Sequence, residues 1–393
     1  MLETKYARKT KEDKPVLAIC YDFDKTLSPD DMQAQGYIQS VGYDIGSFWS
    51  ESNALAEQND MDGNLAYMYK MMEEATGNFV FNKDTLARYG AQVALFPGVN
   101  EWFERIRQFG SEHGVIVEHY IISSGLKEMI EGTEVAKNHA FEKIYASSFY
   151  FNARGVAVWP AQVVNYTNKT QFLFRISKGV LDINDPGVND YFSPYEMRVP
   201  FRNMVYIGDS DTDIPCMKLV NSYGGHSIGV YNPETEDKSK VYKMMRDRRI
   251  KFFAPADYSE GKELDRLVKA IILKTAETEK LEDMYYRYQN EVREVDKPAA
   301  ETLERQKKQE LIDALADSKS FVRTHMLIKS LAAYGDFDRA MCEALYRIAT
   351  ENPQVKLILK DKDVSEFYGR LLAQTKVKTD AAQETADILR SEK

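Results

Sequence analysis

Two carboxylates stand two residues apart in the segment YDFDKT, residues 21–26, directly after the apolar run 16–21. Because side chains alternate along an extended chain, Asp22 and Asp24 would face the same side. Carboxylates that close repel each other, so they need a cation or a shared proton. Mg²⁺ prefers oxygen ligands and often shares its shell with a substrate phosphate. The segment indicates metal-assisted phosphate chemistry, although a surface turn after a strand would have the same sequence.

A second acidic cluster, GDSDTD at residues 208–213, follows the apolar run 204–207. The glycine before Asp209 permits a close approach of the backbone. A solvated acidic loop or an aspartate-rich helix start would explain this cluster taken alone. Neither explains why two separate acidic clusters both end an apolar run, so Asp209 and Asp213 are candidate ligands of the same cation.

Two further segments offer partners for a phosphate. Ser123 and Ser124 precede Gly125 and the apparent helical stretch 126–130, where a hydroxyl and backbone N–H groups could bind an anion. An ordinary N-cap serine is the alternative. Lys169 lies between the serines and the second acidic cluster and could balance their charge, with Lys178 as the competing candidate.

The elements that must position these residues form an open α/β sheet. Apolar runs at 16–21, 115–122, 204–207, 227–231 and 250–254 each end at polar or turn residues, and most are separated by helical patterns. Continuous apolar runs are typical of central strands that are buried on both faces. Polar groups at the carboxyl ends of such strands line the usual ligand crevice. We therefore predict a Rossmann-like open parallel sheet.

Two regions depart from this alternation. Residues 31–95 are too long for a simple crossover and show helical spacing at Leu65, Tyr69 and Met72, which predicts an inserted helical cap. Residues 149–164 resemble a hairpin with its turn at 152–155. The polar segment 184–200 is either a loop at the mouth of the site or a surface excursion, and we favour the excursion.

The chain beyond the sheet is predicted to be helical. An amphipathic helix at 263–274 would close the core, followed by helices at 303–315, 321–333 and 337–349, with breaks near Lys297-Pro298, Gly335 and Asn352-Pro353. The predicted domains are an α/β core at 1–30 and 96–275, a helical cap at 31–95 and an appended helical domain at 276–393.

Composition excludes several classes of protein. The 393 residues carry a formal net charge of −9, which disfavours general nucleic-acid binding. The three cysteines form no CxxC pair and the five histidines have no zinc spacing, so buried thiols in a reducing compartment are expected. The charged N-terminus is not a secretory signal, and no apolar run reaches the roughly 18 residues of a membrane span. These features predict a soluble, cytoplasmic protein.

The ordered set Asp-x-Asp-x-Thr, Ser, Lys and Gly-Asp-x-x-x-Asp resembles the haloacid dehalogenase-like hydrolase superfamily over roughly residues 15–275. The insert after the first motif and the hairpin resemble the phosphoserine-phosphatase-like branch, whose members carry a helical cap. Residues beyond about 275 resemble no family that we recognise.

The resemblance implies a role for each motif residue. Asp22 would be the nucleophile that forms an aspartyl-phosphate, and Asp24 would be the general acid and then the general base. The remaining implied roles are Mg²⁺ binding by the carboxylates of Asp22 and Asp209 and the carbonyl of Asp24, an outer metal position for Asp213, and phosphate binding or support by Ser123, Ser124, Lys169 and Thr26.

These roles lead to an expected function with open alternatives. Asp24 favours phosphate chemistry over dehalogenation, because a halide leaving group needs no proton. We expect a Mg²⁺-dependent phosphatase acting on a small phosphorylated metabolite, with Trp49, Tyr67 and Tyr69 as possible substrate contacts if they are not simply core. A phosphotransferase or mutase would use the same intermediate. A protein that binds partners through its C-terminal helices is the third possibility, and these helices could also support a homo-oligomer.

Overall fold

The computed structural model describes residues 5–295, 300–374 and 379–390. The chain forms two compact units, Met1–Met284 and Tyr285–Lys393. The predicted break near Lys297-Pro298 lies outside the described residues. The predicted boundary between residues 275 and 276 falls inside one continuous helix, Glu263–Val295. The three-domain division therefore stays a prediction.

The described strands are β1 (Val16–Tyr21), β2 (Ile116–Leu126), β3 (Lys143–Phe151), β4 (Ala157–Gln162), β5 (Met204–Gly208), β6 (His226–Tyr231) and β7 (Phe252–Pro255). The described α-helices are α1 (Tyr37–Ser40), α2 (Ile45–Gln58), α3 (Gly63–Ala75), α4 (Lys83–Gly90), α5 (Val99–Glu112), α6 (Lys127–Gly132), α7 (Glu134–Lys137), α8 (Lys169–Lys178), α9 (Ile214–Ser222), α10 (Ser239–Arg246), α11 (Glu263–Val295), α12 (Ala300–Ala316), α13 (Phe321–Leu331), α14 (Arg339–Glu351), α15 (Pro353–Leu357), α16 (Lys362–Gln374) and α17 (Asp380–Arg390).

The seven strands form one sheet in the order β4-β3-β2-β1-β5-β6-β7. All neighbouring strands run parallel except β3 and β4, which form the predicted antiparallel hairpin. All six residues of β1 are buried, as its continuous apolar sequence predicts for a central strand. The predicted α/β fold with an open, mainly parallel sheet is confirmed.

Helices cover both faces of this sheet. On one face, Leu17 and Ile19 pack in a cluster with Trp102 of α5 and Leu264 of α11. On the other face, Cys20 packs in a cluster with helices α8 and α9. Alternate residues of β1 therefore serve opposite halves of the core, which fixes the register of the strand.

The insert after β1 is helical, as predicted, and contains α1 to α4. Tyr69, one of the residues whose spacing indicates this helix, is 47% exposed. The helix instead buries Tyr67, Met68 and Met71. The sequence GNLAYMYKMM is apolar on more than one side, so its spacing does not single out one buried face.

The helices of the second unit enclose their own core. Leu315 of α12, Ile328 of α13 and Leu345 of α14 belong to one buried cluster. No helix of the described residues combines the length and the apolarity that crossing a membrane requires.

Candidate active site

The site lies at the carboxyl ends of three adjacent strands. β1 pairs in parallel with β2 on one side and with β5 on the other. In these registers Tyr21 pairs with Ile121 and with Ile207. Asp22, Ser123 and Asp209 each come one or two residues after one of these paired residues, so they lie close together at one edge of the sheet. The backbone N–H of Asp22 donates to the carbonyl of Ile207 at 3.0 Å, which joins the two acidic motifs. Parallel pairing therefore unites motifs that are far apart in sequence.

The side chain of Lys169 contacts a carboxylate of each acidic motif. Its Nζ lies 3.2 Å from Oδ2 of Asp22 and 2.8 Å from Oδ1 of Asp213. Lys169 and Asp213 are fully buried, and Asp22 is 6% exposed. Buried charges are tolerated only when they are paired, so this triad forms one electrostatic unit.

Lys178, the competing candidate, lies elsewhere. Its Nζ donates to the backbone carbonyls of Val188 and Asp190, at 2.8 and 2.6 Å. It therefore supports the polar segment 184–200 and contacts none of the motif carboxylates. This segment contributes no residue to the cavity described below, in agreement with the surface excursion that we favoured.

Asp213 is held by several donors besides Lys169. The hydroxyl of Tyr206, on β5, donates to its Oδ1 at 2.9 Å, and the N–H of Ser210 donates to its Oδ2 at 3.2 Å. Gly208 is needed for this arrangement, because a Cβ at that position would overlap Oδ2 of Asp213. The close approach that the sequence predicts for this glycine is confirmed.

Burial and like charge shift the pKa of the site carboxyls. Desolvation and the charge of Asp213 raise the pKa of Asp22 to about 6, against the opposing effect of Lys169. Desolvation and Asp213 raise the pKa of Asp209 to about 7, and Lys240 opposes this. Both shifts come first from burial and then from the neighbouring negative charge of Asp213, and a bound cation would oppose both effects.

Asp24 lies on the loop that follows β1, two residues after Asp22, and lines the cavity described below. Its Oδ1 accepts a hydrogen bond from the N–H of Met32 at 2.8 Å, and its Oδ2 faces Gly125. Burial, followed by the charges of Asp31 and Asp22, raises the pKa of Asp24 well above its usual value. Lys25 adopts φ +57°, a left-handed conformation that is uncommon outside glycine, and this turns the loop between Asp24 and Thr26.

The serine motif differs from the prediction. Ser123 and Ser124 lie within β2, which extends to Leu126, and helix α6 begins only at Lys127. The predicted helix N-terminus is therefore not present at the serines. Ser123 reaches the cavity as a side chain, and its Oγ accepts the N–H of Gly125 at 3.1 Å.

Thr26 is fully buried and is absent from the cavity wall. Its backbone N–H donates to the carbonyl of Phe23 at 3.2 Å, and its carbonyl accepts the hydroxyl of Tyr258 at 2.9 Å. This position fits the predicted support of the loop and places the side chain away from a phosphate in the cavity.

A cavity of about 320 Å³ opens above these residues. Of the predicted site residues, Asp22, Asp24, Ser123, Ser124 and Asp209 line it, whereas Lys169 and Asp213 lie beneath them. The lining residues that the sequence did not single out are Lys25, Asp31, Asp62, Gly63, Asn64, Gly125, Asn165, Tyr166, Ser210, Thr212 and Lys240.

The donor set fits a divalent cation that binds oxygen. One carboxylate oxygen from each of Asp22, Asp209 and Asp213 lies within 4.8 Å of the others. All three donors are carboxylates, as Mg²⁺ prefers, and Asp22 and Asp209 face the cavity. The other hydrogen bonds of Asp213 suit a residue that orients the ligands from an outer position.

Comparisons with known proteins add context to this geometry. No family model matches the chain. An uncharacterized protein of Borreliella burgdorferi is 27% identical over 279 residues, which cover 64% of this chain and 95% of that protein.

Solved structures similar to this chain include phosphatases and haloacid dehalogenases. A substrate-bound phosphoserine phosphatase has a TM-score of 0.42 at 12% identity and covers 66% of this chain and 99% of its own. A probable phosphoserine phosphatase from Vibrio cholerae has a TM-score of 0.42 at 14% identity, and the match covers 68% of this chain and 67% of that protein. An L-2-haloacid dehalogenase has a TM-score of 0.34 at 12% identity, and the match covers 65% of this chain and 99% of that protein.

Proposed function

We propose that this chain is a Mg²⁺-dependent phosphatase that hydrolyses a small phosphate monoester through an aspartyl-phosphate on Asp22. The contact of the buried Lys169 ammonium with both Asp22 and Asp213 carries the proposal. It supplies a fixed positive charge beside a carboxylate that opens onto a cavity. A carboxylate nucleophile needs such a charge, because a phosphate dianion that approaches it is repelled by about 4 kcal/mol per pair of unit charges at 4 Å and a dielectric constant near 20.

Asp22 and Asp24 divide the chemistry between them. An oxygen of Asp22 forms a bond to phosphorus while the bond from phosphorus to the ester oxygen breaks. Asp24 gives its proton to the departing oxygen, and its raised pKa favours the protonated form that this step requires. A water molecule then gives a proton to Asp24 and attacks phosphorus, which releases phosphate and restores the Asp22 carboxylate.

The remaining residues stabilise charge. Asp22 and Asp209, with Asp213 behind them, would hold the Mg²⁺ ion, which supplies two positive charges close to the phosphate oxygens. Ser123 would donate its hydroxyl to a phosphoryl oxygen. Lys169 offsets the charge on Asp22 in the free enzyme and on the phosphate when substrate is bound.

We propose a phosphate ester, and not an organohalide, as the substrate, because Asp24 would protonate the leaving group. Asp24 lines the cavity with Asp22, and an alkoxide leaving group needs a proton whereas a halide does not. Transfer to an alcohol in place of water would use the same residues, and product analysis with added alcohols distinguishes that reaction from hydrolysis. Cytoplasmic location and oligomerisation through the C-terminal helices stay predictions.

The test is hydrolysis of an aryl phosphate with and without Mg²⁺. We expect phosphate release that depends on the metal, is lost in EDTA, and returns when Mg²⁺ is added back. Asp22→Asn should abolish it while the fold, followed by circular dichroism, is retained. Activity that persists both in EDTA and in Asp22→Asn would show that the proposed mechanism is wrong.

A further inference from the structure

Three side chains at the start of α3 form hydrogen bonds beside the cavity. These bonds join the helical insert, which we call the cap, to the α/β core. Asn64 Nδ2 donates to the carbonyl of Val164 at 2.8 Å, and the Tyr67 hydroxyl donates to the carbonyl of Ser124 at 2.7 Å. Asp62 Oδ2 accepts the side-chain N–H of Asn165 at 2.7 Å. We call Asp62, Asn64 and Tyr67 the α3 clasp. Its three bonds reach two core segments, the end of β2 and the turn before α8.

The first of these segments carries Ser123. The carbonyl of Ser124 accepts a second hydrogen bond, from Oγ of Ser147 on β3 at 3.1 Å. The same Oγ accepts the N–H of Val164 at 3.0 Å. Tyr67 is 5% exposed, and its ring lies edge-on to Trp49 at 5.9 Å, so its hydroxyl has a fixed position. The cap therefore helps to fix the peptide between Ser124 and Gly125, whose N–H donates to Oγ of Ser123 at 3.1 Å.

The second segment carries Lys169. The carbonyl of Asn165 accepts the backbone N–H groups of Asn168 and Lys169, at 3.1 and 3.0 Å, and so begins the first turn of α8. The side chain of Asn165 is held by Asp62, which is also the N-cap of α3. Asp62 and Lys169 are thus joined through a single residue.

We propose that the α3 clasp positions Ser123 and Lys169 for phosphate binding, so that Asp62 and Tyr67 of the cap are positioning residues of the reaction. The proposal rests on the function proposed above. Without the clasp, the core retains every catalytic group, but the peptide between Ser124 and Gly125 loses one hydrogen bond from the cap and the turn before Lys169 loses two.

The decisive experiment is a double-mutant cycle on hydrolysis of an aryl phosphate. Tyr67→Phe removes one hydroxyl and keeps the ring, and we expect kcat/KM to fall about tenfold, the effect of about one hydrogen bond. In the Ser123→Ala background the same change should reduce kcat/KM less than threefold, because the group that it positions is already absent. Equal losses in both backgrounds would contradict the proposal.

Controls come from the same cap. Tyr37 is buried in the cap and donates its hydroxyl to the carbonyl of Met71, and Tyr37→Phe should leave kcat/KM unchanged within twofold. Asp62→Asn keeps an N-cap side chain but loses the acceptor for Asn165, and should raise the inhibition constant of inorganic phosphate severalfold. Asp44→Asn, at the N-cap of α2, should not change it. Equal effects of the control and clasp variants would overturn the positioning role.

Amide hydrogen exchange tests the clasp independently of catalysis. In Asp62→Asn we expect faster exchange at the backbone N–H groups of residues 168 and 169, with no change in Asp44→Asn. Unchanged exchange in Asp62→Asn would overturn the clasp even in an active phosphatase. If the protein has no phosphatase activity but exchange still rises in Asp62→Asn, the link between cap and core holds. In that case only the proposed function is wrong.

Discussion

The Nζ of Lys169 lies 3.2 Å from Oδ2 of Asp22, although 147 positions separate the two residues in the sequence. Asp22 follows β1 and Lys169 begins α8, so the pair exists only after the sheet and its helices have assembled. Removing one member of this assembly while its neighbours stay in place should therefore reveal what that member contributes.

Replacing Lys169 by methionine should abolish activity. The change leaves Asp22 and Asp213 buried without their counter-ion, so we also expect about 3 kcal/mol lower stability in urea unfolding. Lys178→Met is the matched control, because Lys178 bonds to carbonyls of the 184–200 segment and contacts no site carboxylate. Loss of activity in the control, or retained activity in Lys169→Met, would contradict the assignment.

Replacing Asp24 by asparagine should make the rate depend strongly on the leaving group. Without an acid, an alkyl phosphate loses the protonation of its departing oxygen, whereas a nitrophenyl phosphate hardly needs it. We expect kcat/KM to fall at least tenfold more for the alkyl ester in steady-state assays. Tyr166→Phe, which removes a hydroxyl from the wall of the same cavity, should affect both esters equally. Equal losses for both esters in Asp24→Asn would exclude the acid role.

Replacing Gly208 by alanine should disturb Asp213 and lower both activity and stability. A Cβ at position 208 overlaps Oδ2 of Asp213, so either the Asp213 side chain, with its hydrogen bonds, or the backbone of β5 would have to move. We expect a loss of about 2 kcal/mol in thermal or urea unfolding. Gly369→Ala in α16 has no atom within 4 Å of the added Cβ, so it should be neutral or slightly stabilising. An active, fully stable Gly208→Ala variant would contradict the packing described for Asp213.

Glu118 makes a separate, pH-dependent contribution to stability. Burial acts to raise its pKa, but hydrogen bonds and charge from Arg198 and Lys9 prevail and lower it to about 2. Because the folded pKa is depressed from 4.5, the contribution is complete above pH 4.5 and is lost as the pH falls toward 2. This difference corresponds to about 3 kcal/mol.

Glu118→Gln should therefore lower unfolding free energy by about 3 kcal/mol at pH 7, and the gap from the wild type should narrow below pH 4.5. Glu142→Gln is the control, because Glu142 also bonds to Lys9 but its side chain is 32% exposed. It should change stability by less than about 1 kcal/mol. A gap for Glu118→Gln that stays constant down to pH 3 would contradict the lowered pKa.

Much of the core and the motif residues can be predicted because they depend on local sequence. The run 16–21 is apolar at every position, and the structure makes it strand β1 with these bounds. Asp22 and Asp209 follow such runs, and parallel pairing alone then brings them together. The predicted helices at 321–333 and 337–349 also appear, with shifted ends, as α13 and α14.

Other features depend on contacts that no local pattern contains. Tyr206 looks like an ordinary strand residue until Asp213 lies against it at 2.9 Å. Asp62 reads as a helix N-cap, and its bond to Asn165 appears only once the cap lies on the core. The exposure of Tyr69 could not be predicted, because several apolar spacings fit α3 equally well.

The most direct test of the mechanism is mass spectrometry of the acid-quenched enzyme during turnover of an aryl phosphate with Mg²⁺. In Asp24→Asn we expect the intermediate to accumulate, because a good leaving group still departs while the attacking water lacks its base. Phosphate should be found on the peptide containing Asp22, as a mass increase of about 80 Da, and should be absent from Asp22→Asn. Steady phosphate release by an enzyme in which Asp22 never carries phosphate would contradict the aspartyl-phosphate mechanism.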